Sequence, residues 1–325
     1  MKKIDLHQDI ILSFASDERG FVDAEYVQDL HHTYAGGLQA YQEAEIRLVW
    51  AANWPYHLDG DLENHEQRKI RYERAVLFDQ HEKMRALMAK YQIDEILSWK
   101  DVEEQSGLAF LHHIEGYDDA DSIEELEHLY ELGVRSMGFV WNFDNSLAHC
   151  NLSPDKGLTA LGKAFVIRMQ EKGMLVDTAH MSHQSMMDVL SCATKPILNS
   201  HSNLMHFYQH SRNVQESFLD ALKDNGGVLG LSVYKGFIKG VNMSVGIQDY
   251  LDQVEYVIKR IGQDHIALGT DFHGLPVKQC LDGLNHISQL QDLEKAMLER
   301  FGLEISQKFF SANVLRVLKA NLPAE

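Results

Sequence analysis

Cysteine and proline are scarce in this sequence. The three cysteines, Cys150, Cys192 and Cys280, are widely spaced, odd in number and form no Cys-x-x-Cys pair, which argues against a disulfide framework and against a thiolate zinc site. With only five prolines and no Gly/Ser-rich linker, no stretch marks a domain boundary. We therefore expect one domain over residues 1–325, in a reducing compartment.

Basic residues are also few. The chain has 30 lysines and arginines but 48 aspartates and glutamates, which gives a net charge of -18. Such a charge repels phosphate backbones and anionic membrane surfaces. No apolar run is long enough to span a bilayer, and the N-terminus has no apolar signal-peptide core. The sequence predicts a cytoplasmic protein that has neither a nucleic acid nor a membrane as partner.

The sequence does contain a regular alternation of short apolar runs and amphipathic segments. Eight runs are predicted strands: Lys2–Leu6, Ile46–Asn53, Leu108–Ile114, Ser136–Trp141, Leu175–Ala179, Pro196–Ser200, Gly227–Val233 and Ile266–Thr270. Helical spacing of apolar residues is found in Leu62–Lys90, Ser122–Leu132, Thr159–Lys172, Glu216–Asp224, Ile247–Ile261, Ile287–Phe301 and Ile305–Leu318. Eight strands that alternate with helices predict an α/β fold, a single (β/α)8 TIM-type barrel. A doubly wound open sheet is the alternative, but it would not bring the polar strand ends to one point.

Polar residues capable of binding metal lie at the ends of five of these strands. They are His7, Asp9, Glu115, His180, His201 and Asp271. Each has an ordinary explanation by itself, as a hydrogen-bonded core histidine or as a carboxylate in a turn or at a helix N-terminus. In a barrel, however, the C-terminal ends of all strands meet at one mouth, so the set predicts a metal site.

Within that site the residue types suggest separate roles. His7 and Asp9 are two positions apart and project from the same face of a strand. The two oxygens of Glu115 can each hold a cation, so this carboxylate can bridge two metals. Asp271 can take a proton from a metal-bound water and return it to a leaving group.

The ordered motifs resemble the membrane (renal) dipeptidase family of zinc metallopeptidases, which has an amidohydrolase-type barrel. The resemblance covers nearly the whole chain and rests on His7-Gln-Asp9, Ile-Glu115-Gly, Leu-Gly-Val-Arg135, Gly-Met-Leu-Val-Asp-Thr-Ala-His180, Pro-Ile-Leu-Asn-Ser-His201-Ser, Ser-Arg212-Asn-Val and Gly-Thr-Asp271-Phe.

The resemblance implies two Zn²⁺ ions per chain. His7, Asp9 and Glu115 would bind one ion, and Glu115, His180 and His201 the other. It also implies hydrolysis of dipeptides, including those with a D-residue at the second position, by a metal-bridging water as nucleophile. Asp271 would relay the proton, and Arg212 would meet the C-terminal carboxylate of the substrate. The expected binding partners are small dipeptides, and the formation of a homodimer stays open.

Two positions depart from the family pattern. Where the mammalian members carry a substrate-contacting histidine after the fourth strand, this chain has Trp141 and Asn142, which we therefore predict to contact the substrate. Tryptophan can donate one hydrogen bond but cannot accept a proton. His273 replaces a common second aspartate and changes the charge near the pocket.

Two other functions stay open from the sequence. One is a different metal-dependent amidohydrolase that acts on a cyclic amide, a lactone or an aminated base with much the same ligands. The other is a non-catalytic metal-binding or peptide-binding barrel.

Overall fold

Eight parallel strands form a nearly closed barrel in the computed structural model, which describes residues 1–11, 35–59, 69–153 and 156–325. In order around the barrel they are β1 Lys3–Gln8, β2 Ile46–Asn53, β3 Ala109–Glu115, β4 Ser136–Gly138, β5 Leu175–Asp177, β6 Leu198–Ser202, β7 Val228–Leu231 and β8 Ile266–Leu268. The backbone N–H of Asp271 donates to the His7 carbonyl (3.1 Å), and that of Asp9 donates to the Phe272 carbonyl (3.0 Å). These bonds join the two ends of the sheet, so the predicted (β/α)8 barrel is confirmed.

All eight predicted strands are present, although several end earlier than predicted. The clearest difference is β4, which ends at Gly138 and not at Trp141. Gly138 pairs with Glu115 on one side and with Asp177 on the other, and these are the last residues of β3 and β5. After Gly138 the Phe139 carbonyl still accepts from the backbone N–H of Tyr117 (3.0 Å), but the strand ladder stops and the apolar run continues as a loop.

Ten α-helices are present within the described ranges. They are α1 Leu38–Glu43, α2 Arg74–Tyr91, α3 Trp99–Glu104, α4 Glu125–Glu131, α5 Ala160–Lys172, α6 His183–Cys192, α7 Glu216–Asn225, α8 Ile247–Ile261, α9 Leu290–Gln307 and α10 Asn313–Asn321. None of these helices combines the length and the apolar character needed to cross a bilayer.

The predicted helix Leu62–Lys90 is wrong in its first part. Residues 62–68 lie outside the described part of the chain, and Lys69–Tyr72 forms a strand that pairs antiparallel with Tyr56–Asp59. The helix begins only at Arg74. Tyr56 and Tyr72 face each other across this hairpin with their rings 5.8 Å apart, and such aromatic cross-strand pairs stabilise a hairpin beyond local helix propensity.

The C-terminal helices also differ in detail from Ile287–Phe301 and Ile305–Leu318. α9 contains Gly302 with φ of 77° and ψ of 178°, which interrupts the helical backbone, and a π-helical turn over Lys308–Ala312 joins α9 to α10. Glycine tolerates this conformation because it has no Cβ.

Alternation along the strands decides which side chains reach the barrel interior. In β3, Leu111, His113 and Glu115 share one face, because successive side chains of a strand point to opposite sides. The neighbouring His112 faces the helical layer, where it contacts His81 of α2. Glu115 is therefore the last inward residue of its strand and lies at the mouth of the barrel.

Candidate metal centre

The six polar residues predicted from the sequence meet at the mouth of the barrel. They are His7 in β1, Asp9 just beyond it, Glu115 at the end of β3, His180 after β5, His201 in β6 and Asp271 after β8. Five of them are at most 7% exposed, while Asp271 is partly exposed. Side chains from five different strands thus form one polar cluster.

Glu115 lies between two groups of these side chains. Its Oε2 is 3.6 Å from His7 Nε2, and its Oε1 is 2.9 Å from His180 Nε2 and 3.5 Å from His201 Nε2. Asp9 Oδ2 is 3.5 Å from the same nitrogen of His7. Each carboxylate oxygen of Glu115 therefore faces a separate set of donors, as a carboxylate that bridges two cations must.

The second set has the ring orientation of a metal site. His180 Nε2 and His201 Nε2 are 3.0 Å apart. His180 Nδ1 has Asn142 Oδ1 as its acceptor (3.1 Å). His201 Nδ1 lies 2.8 Å from the hydroxyl of Ser200, which itself donates to Asp177 Oδ2 (2.5 Å) and so accepts from the imidazole. With both Nδ1 atoms protonated, two Nε2 lone pairs point at one place, and a cation between them would relieve their repulsion.

The first set also fits a cation better than a hydrogen-bond network. His7 is fully buried, and within the described residues neither of its ring nitrogens has a hydrogen-bond partner. The distances of 3.5 and 3.6 Å to Asp9 and Glu115 are too long for good hydrogen bonds. Ligand atoms about 2.1 Å from a tetrahedral zinc ion are about 3.4 Å from one another, which matches this spacing.

Burial keeps two of the histidines neutral. It lowers the pKa of His180 to about 4, with the positive charge of Arg212 as the next cause, and it lowers the pKa of His201 well below the ordinary value. Metal binding requires a deprotonated imidazole nitrogen. Both rings therefore present a free lone pair at neutral pH.

Three carboxylates crowd this buried site. Burial raises the pKa of Asp9, with a further contribution from the charge of Glu115, and burial together with the neighbouring Asp9 and Glu115 raises the pKa of Asp271 well above the ordinary value. Negative charges brought together out of water are costly unless cations are nearby. Cations held at the mouth would therefore stabilise the ionised forms of these carboxylates.

The backbone at the mouth is shaped to deliver these side chains. His180 and Asp271 both have φ of 65°, a left-handed conformation that is uncommon for residues with a side chain and is concentrated at functional sites. Gly274 approaches the carboxylates closely, because a Cβ there would lie 2.1 Å from Asp9 Oδ2 and 2.8 Å from Asp271 Oδ1. Any larger residue at 274 would displace the two carboxylates.

Ser200→Ala is expected to weaken cation binding without removing a ligand, because His201 Nδ1 loses its acceptor and the ring is free to turn. Losses of this kind typically reduce metal affinity about 10- to 100-fold. The change is measured by chelator competition, in parallel with Ser191→Ala, whose hydroxyl donates to the Asp188 carbonyl on α6 and is outside the cluster. Equal affinities for wild type and Ser200→Ala would contradict the orienting role.

Arg212 lies beside the ligand cluster and is not a surface cation, being 7% exposed. Its Nη2 donates to the carbonyl of His201 (3.0 Å) and its Nη1 to the hydroxyl of Ser202 (3.2 Å), while the guanidinium lies over the ring of Phe237. Burial lowers its pKa to about 10, so it is charged at neutral pH. Of its five N–H groups, Nε–H has no partner among the described residues.

The two residues that depart from the family pattern have different surroundings. Asn142 Oδ1 is 3.1 Å from His180 Nδ1 and can orient that ring, while its contact with the substrate stays a prediction. Trp141 belongs to a group of rings that we name the aromatic wall: Trp54, Tyr56, Trp141 and Phe143. The centroid of the Trp141 ring is 6.1 Å from that of His180, so the wall borders the ligand cluster.

His273 is fully buried beside Tyr41, whose hydroxyl is 3.2 Å from His273 Nε2. Burial lowers the pKa of His273 to about 3. The residue is therefore neutral at physiological pH and adds no positive charge at this position.

Sequence reasoning missed several residues that complete the site, namely Trp54, Tyr56, Asp177, Ser200 and Gly274. One signal was available for two of them, because Asp177 and Ser200 belong to the two motifs that end in His180 and His201. Trp54 and Tyr56 follow β2 directly, at the same level of the barrel as the polar strand ends.

A family model described as membrane dipeptidase (peptidase family M19) matches residues 1–324. An uncharacterised dipeptidase of Schizosaccharomyces pombe is 34% identical over 252 residues, which are 72% of this chain and 60% of that protein. A dipeptidase of Claviceps purpurea, tcpJ, is 35% identical over 164 residues, which are 50% of this chain and 38% of that protein. The chain thus spans less than two thirds of the length of these two relatives.

Solved structures show the same fold. A dipeptidase described as a family M19 metallopeptidase superposes with a TM-score of 0.84 at 20% identity over 99% of both chains. A metallopeptidase from Rhodobacter sphaeroides, liganded with a phosphinate mimic of the dipeptide L-Ala-D-Ala, superposes with a TM-score of 0.83 at 20% identity, again over 99% of both chains.

Proposed function

Because the chain belongs to the membrane dipeptidase family, we propose that it is a two-zinc dipeptidase that hydrolyses the single peptide bond of dipeptides. The observation that carries the proposal is the position of Glu115, whose two oxygens face two different sets of donors. Tolerance of a D-residue at the second position is part of the proposal, supported by the ligand of the related Rhodobacter sphaeroides metallopeptidase.

The residues at the mouth would hold the two ions as follows. His7, Asp9 and Glu115 Oε2 would bind one, and His180, His201 and Glu115 Oε1 the other. Mixed imidazole and carboxylate donors suit zinc. When bound, paired zinc ions polarise a carbonyl oxygen and lower the pKa of water to near neutrality.

Asp271 would move the proton. Its carboxylate groups with His7 and Asp9, with one ligand atom of each within 4.8 Å of the others, so it lies on the side of the first ion. Unlike the buried ligands it is partly exposed, so it can be reached from the open side of the site. There it would take the proton of the attacking water and deliver it to the nitrogen of the departing amine.

Arg212 would bind the C-terminal carboxylate of the substrate. Its Nη2 donates to the backbone carbonyl of His201, whose own side chain enters the ligand cluster, so guanidinium and ligand cluster are separated by about the length of one residue. A planar guanidinium whose Nε–H has no partner among the described residues favours a carboxylate. This short separation would select dipeptides over longer peptides.

The proposal is tested by adding a dipeptide such as Ala-Ala, or Ala-D-Ala, to protein loaded with two equivalents of zinc and to protein treated with chelator. We expect amino-acid release only from the loaded protein, with restoration when zinc is returned. Tripeptides and the C-terminal amide of the same dipeptide should react poorly, because they place no carboxylate at Arg212. Hydrolysis of a cyclic amide or a lactone in preference to every dipeptide would contradict the proposal.

A further inference from the structure

We propose that the aromatic wall is the binding site for the N-terminal side chain of the substrate, so that this enzyme prefers dipeptides that begin with a large aromatic residue. The inference rests on the proposed dipeptidase function. It identifies Trp141 as the main specificity-determining residue.

Trp141 lies at the centre of the aromatic wall. Its ring centroid is 5.0 Å from that of Trp54, 5.4 Å from Tyr56 and 6.0 Å from Phe143. Trp54 and Tyr56 are buried, Trp141 is partly exposed, and Phe143 is 40% exposed. The wall therefore runs from the core to solvent and leaves aromatic surface uncovered beside His180.

The barrel places Trp54 and Tyr56 across the mouth from Arg212, with Trp141 between them. Trp54 and Tyr56 follow β2, and Trp141 follows β4, whereas Arg212 follows β6. In an eight-stranded barrel β2 and β6 are diametrically opposed. A dipeptide whose carboxylate contacts Arg212 and whose peptide bond lies over the ligand cluster would extend its first residue away from Arg212, toward the wall.

Hydrogen bonds and close packing fix Tyr56 of the wall to the turn that follows Glu115. Tyr56 donates its hydroxyl hydrogen to Asp118 Oδ1 (3.0 Å), and Asn145 donates to the same oxygen (3.1 Å). Gly116 has φ of 86°, and a Cβ there would lie 2.4 Å from the Tyr56 hydroxyl. Tyr56 thus packs directly on the residue after Glu115, and a rigid aromatic surface loses little conformational freedom on binding.

The chemistry of the wall favours a neutral aromatic side chain. Ring pairs are most favourable at centroid separations of about 4.5–7 Å, and the wall already packs at this spacing. The nearby carboxylate of Asp118 accepts hydrogen bonds from Tyr56 and Asn145 through its Oδ1. Small side chains would leave the ring surface uncovered.

The test compares kcat/KM for Phe-Ala, Ala-Ala and Lys-Ala in zinc-loaded protein. We expect a preference for Phe-Ala over Ala-Ala of about tenfold or more, the scale on which an apolar pocket discriminates side chains. In Trp141→Leu this ratio should fall several-fold, and Trp141→Phe should restore part of it. Phe207→Ala is the matched control, since Phe207 is 39% exposed and outside the wall, and its ratio should equal that of wild type.

Each outcome decides the inference. Zinc content and Ala-Ala hydrolysis show that each variant is folded and loaded. The inference is overturned, while the dipeptidase function stands, if the wild type hydrolyses Ala-Ala as well as Phe-Ala. It is also overturned if Trp141→Leu keeps the wild-type preference for Phe-Ala. A preference for Lys-Ala overturns it as well. If loaded wild type hydrolyses no dipeptide, the proposed function fails, and the inference fails with it.

Discussion

Glu115→Gln is expected to remove most of the activity and to lower the bound zinc below two ions per chain. The amide keeps the shape of the carboxylate but presents an N–H₂ group to one of the two donor sets that Glu115 faces. It also removes a negative charge beside His7 and His180. Paired metals supply several kcal/mol of transition-state stabilisation, and about 4 kcal/mol corresponds to roughly a thousandfold in rate. Metal analysis and dipeptide kinetics on the same preparation measure both effects.

Glu95→Gln is the matched control for this variant. Glu95 Oε1 is also paired with a histidine, since it is 3.0 Å from His112 Nε2, but His112 faces the helical layer. Zinc content and turnover should be those of wild type. Two tightly bound zinc ions in Glu115→Gln would contradict the bridging role.

Asp271→Asn is expected to keep the zinc and lose the turnover. Asparagine is one of the few residues that adopts a left-handed backbone readily, so the φ of 65° at this position is preserved. The amide cannot take a proton from water, and removal of a general base or acid typically costs about 10²- to 10⁴-fold in rate. The loss should appear mainly in kcat, measured with a dipeptide at saturating concentration.

Asp220→Asn provides the comparison for Asp271→Asn, because Asp220 pairs with Arg260 on the helical surface and its loss should leave kcat unchanged. Unchanged kcat in Asp271→Asn would show that another group moves the proton. Loss of zinc from Asp271→Asn would show that this carboxylate is a ligand and not only a proton carrier.

The sequence predicted the barrel and the position of its polar residues because both depend on local patterns. Apolar runs of strand length separated by amphipathic segments specify βα units, and parallel strands in a closed barrel bring their C-terminal ends together. Glu115 and His201 needed only to be the right residue types at those ends. For this reason six residues far apart in sequence were predicted to meet.

The hairpin of Tyr56–Asp59 and Lys69–Tyr72 could not be predicted in the same way. Its second strand is a short charged stretch that continues directly into α2, so the local pattern favours a helix over the whole of it. Pairing across the hairpin and packing of Tyr56 on Gly116 decide the outcome, and both are contacts between residues distant in sequence.

The hydrogen-bond partners of the predicted metal ligands could not be predicted from the sequence either. Ser200 precedes His201 in the chain, and a hydroxyl there is compatible with many roles; only the fold brings Asp177 to its Oγ. Only the fold likewise brings the amide oxygen of Asn142 to His180, and the contact of Asn142 with the substrate stays a prediction. Such assignments depend on the direction of a side chain, which strand periodicity does not fix in a loop.

The most direct test of the account is anomalous X-ray diffraction from crystals of zinc-loaded protein, recorded on both sides of the zinc absorption edge. We predict two peaks per chain, one between His7, Asp9 and Glu115 and the other between Glu115, His180 and His201. A single peak, or peaks that do not share Glu115, would contradict the two-ion centre.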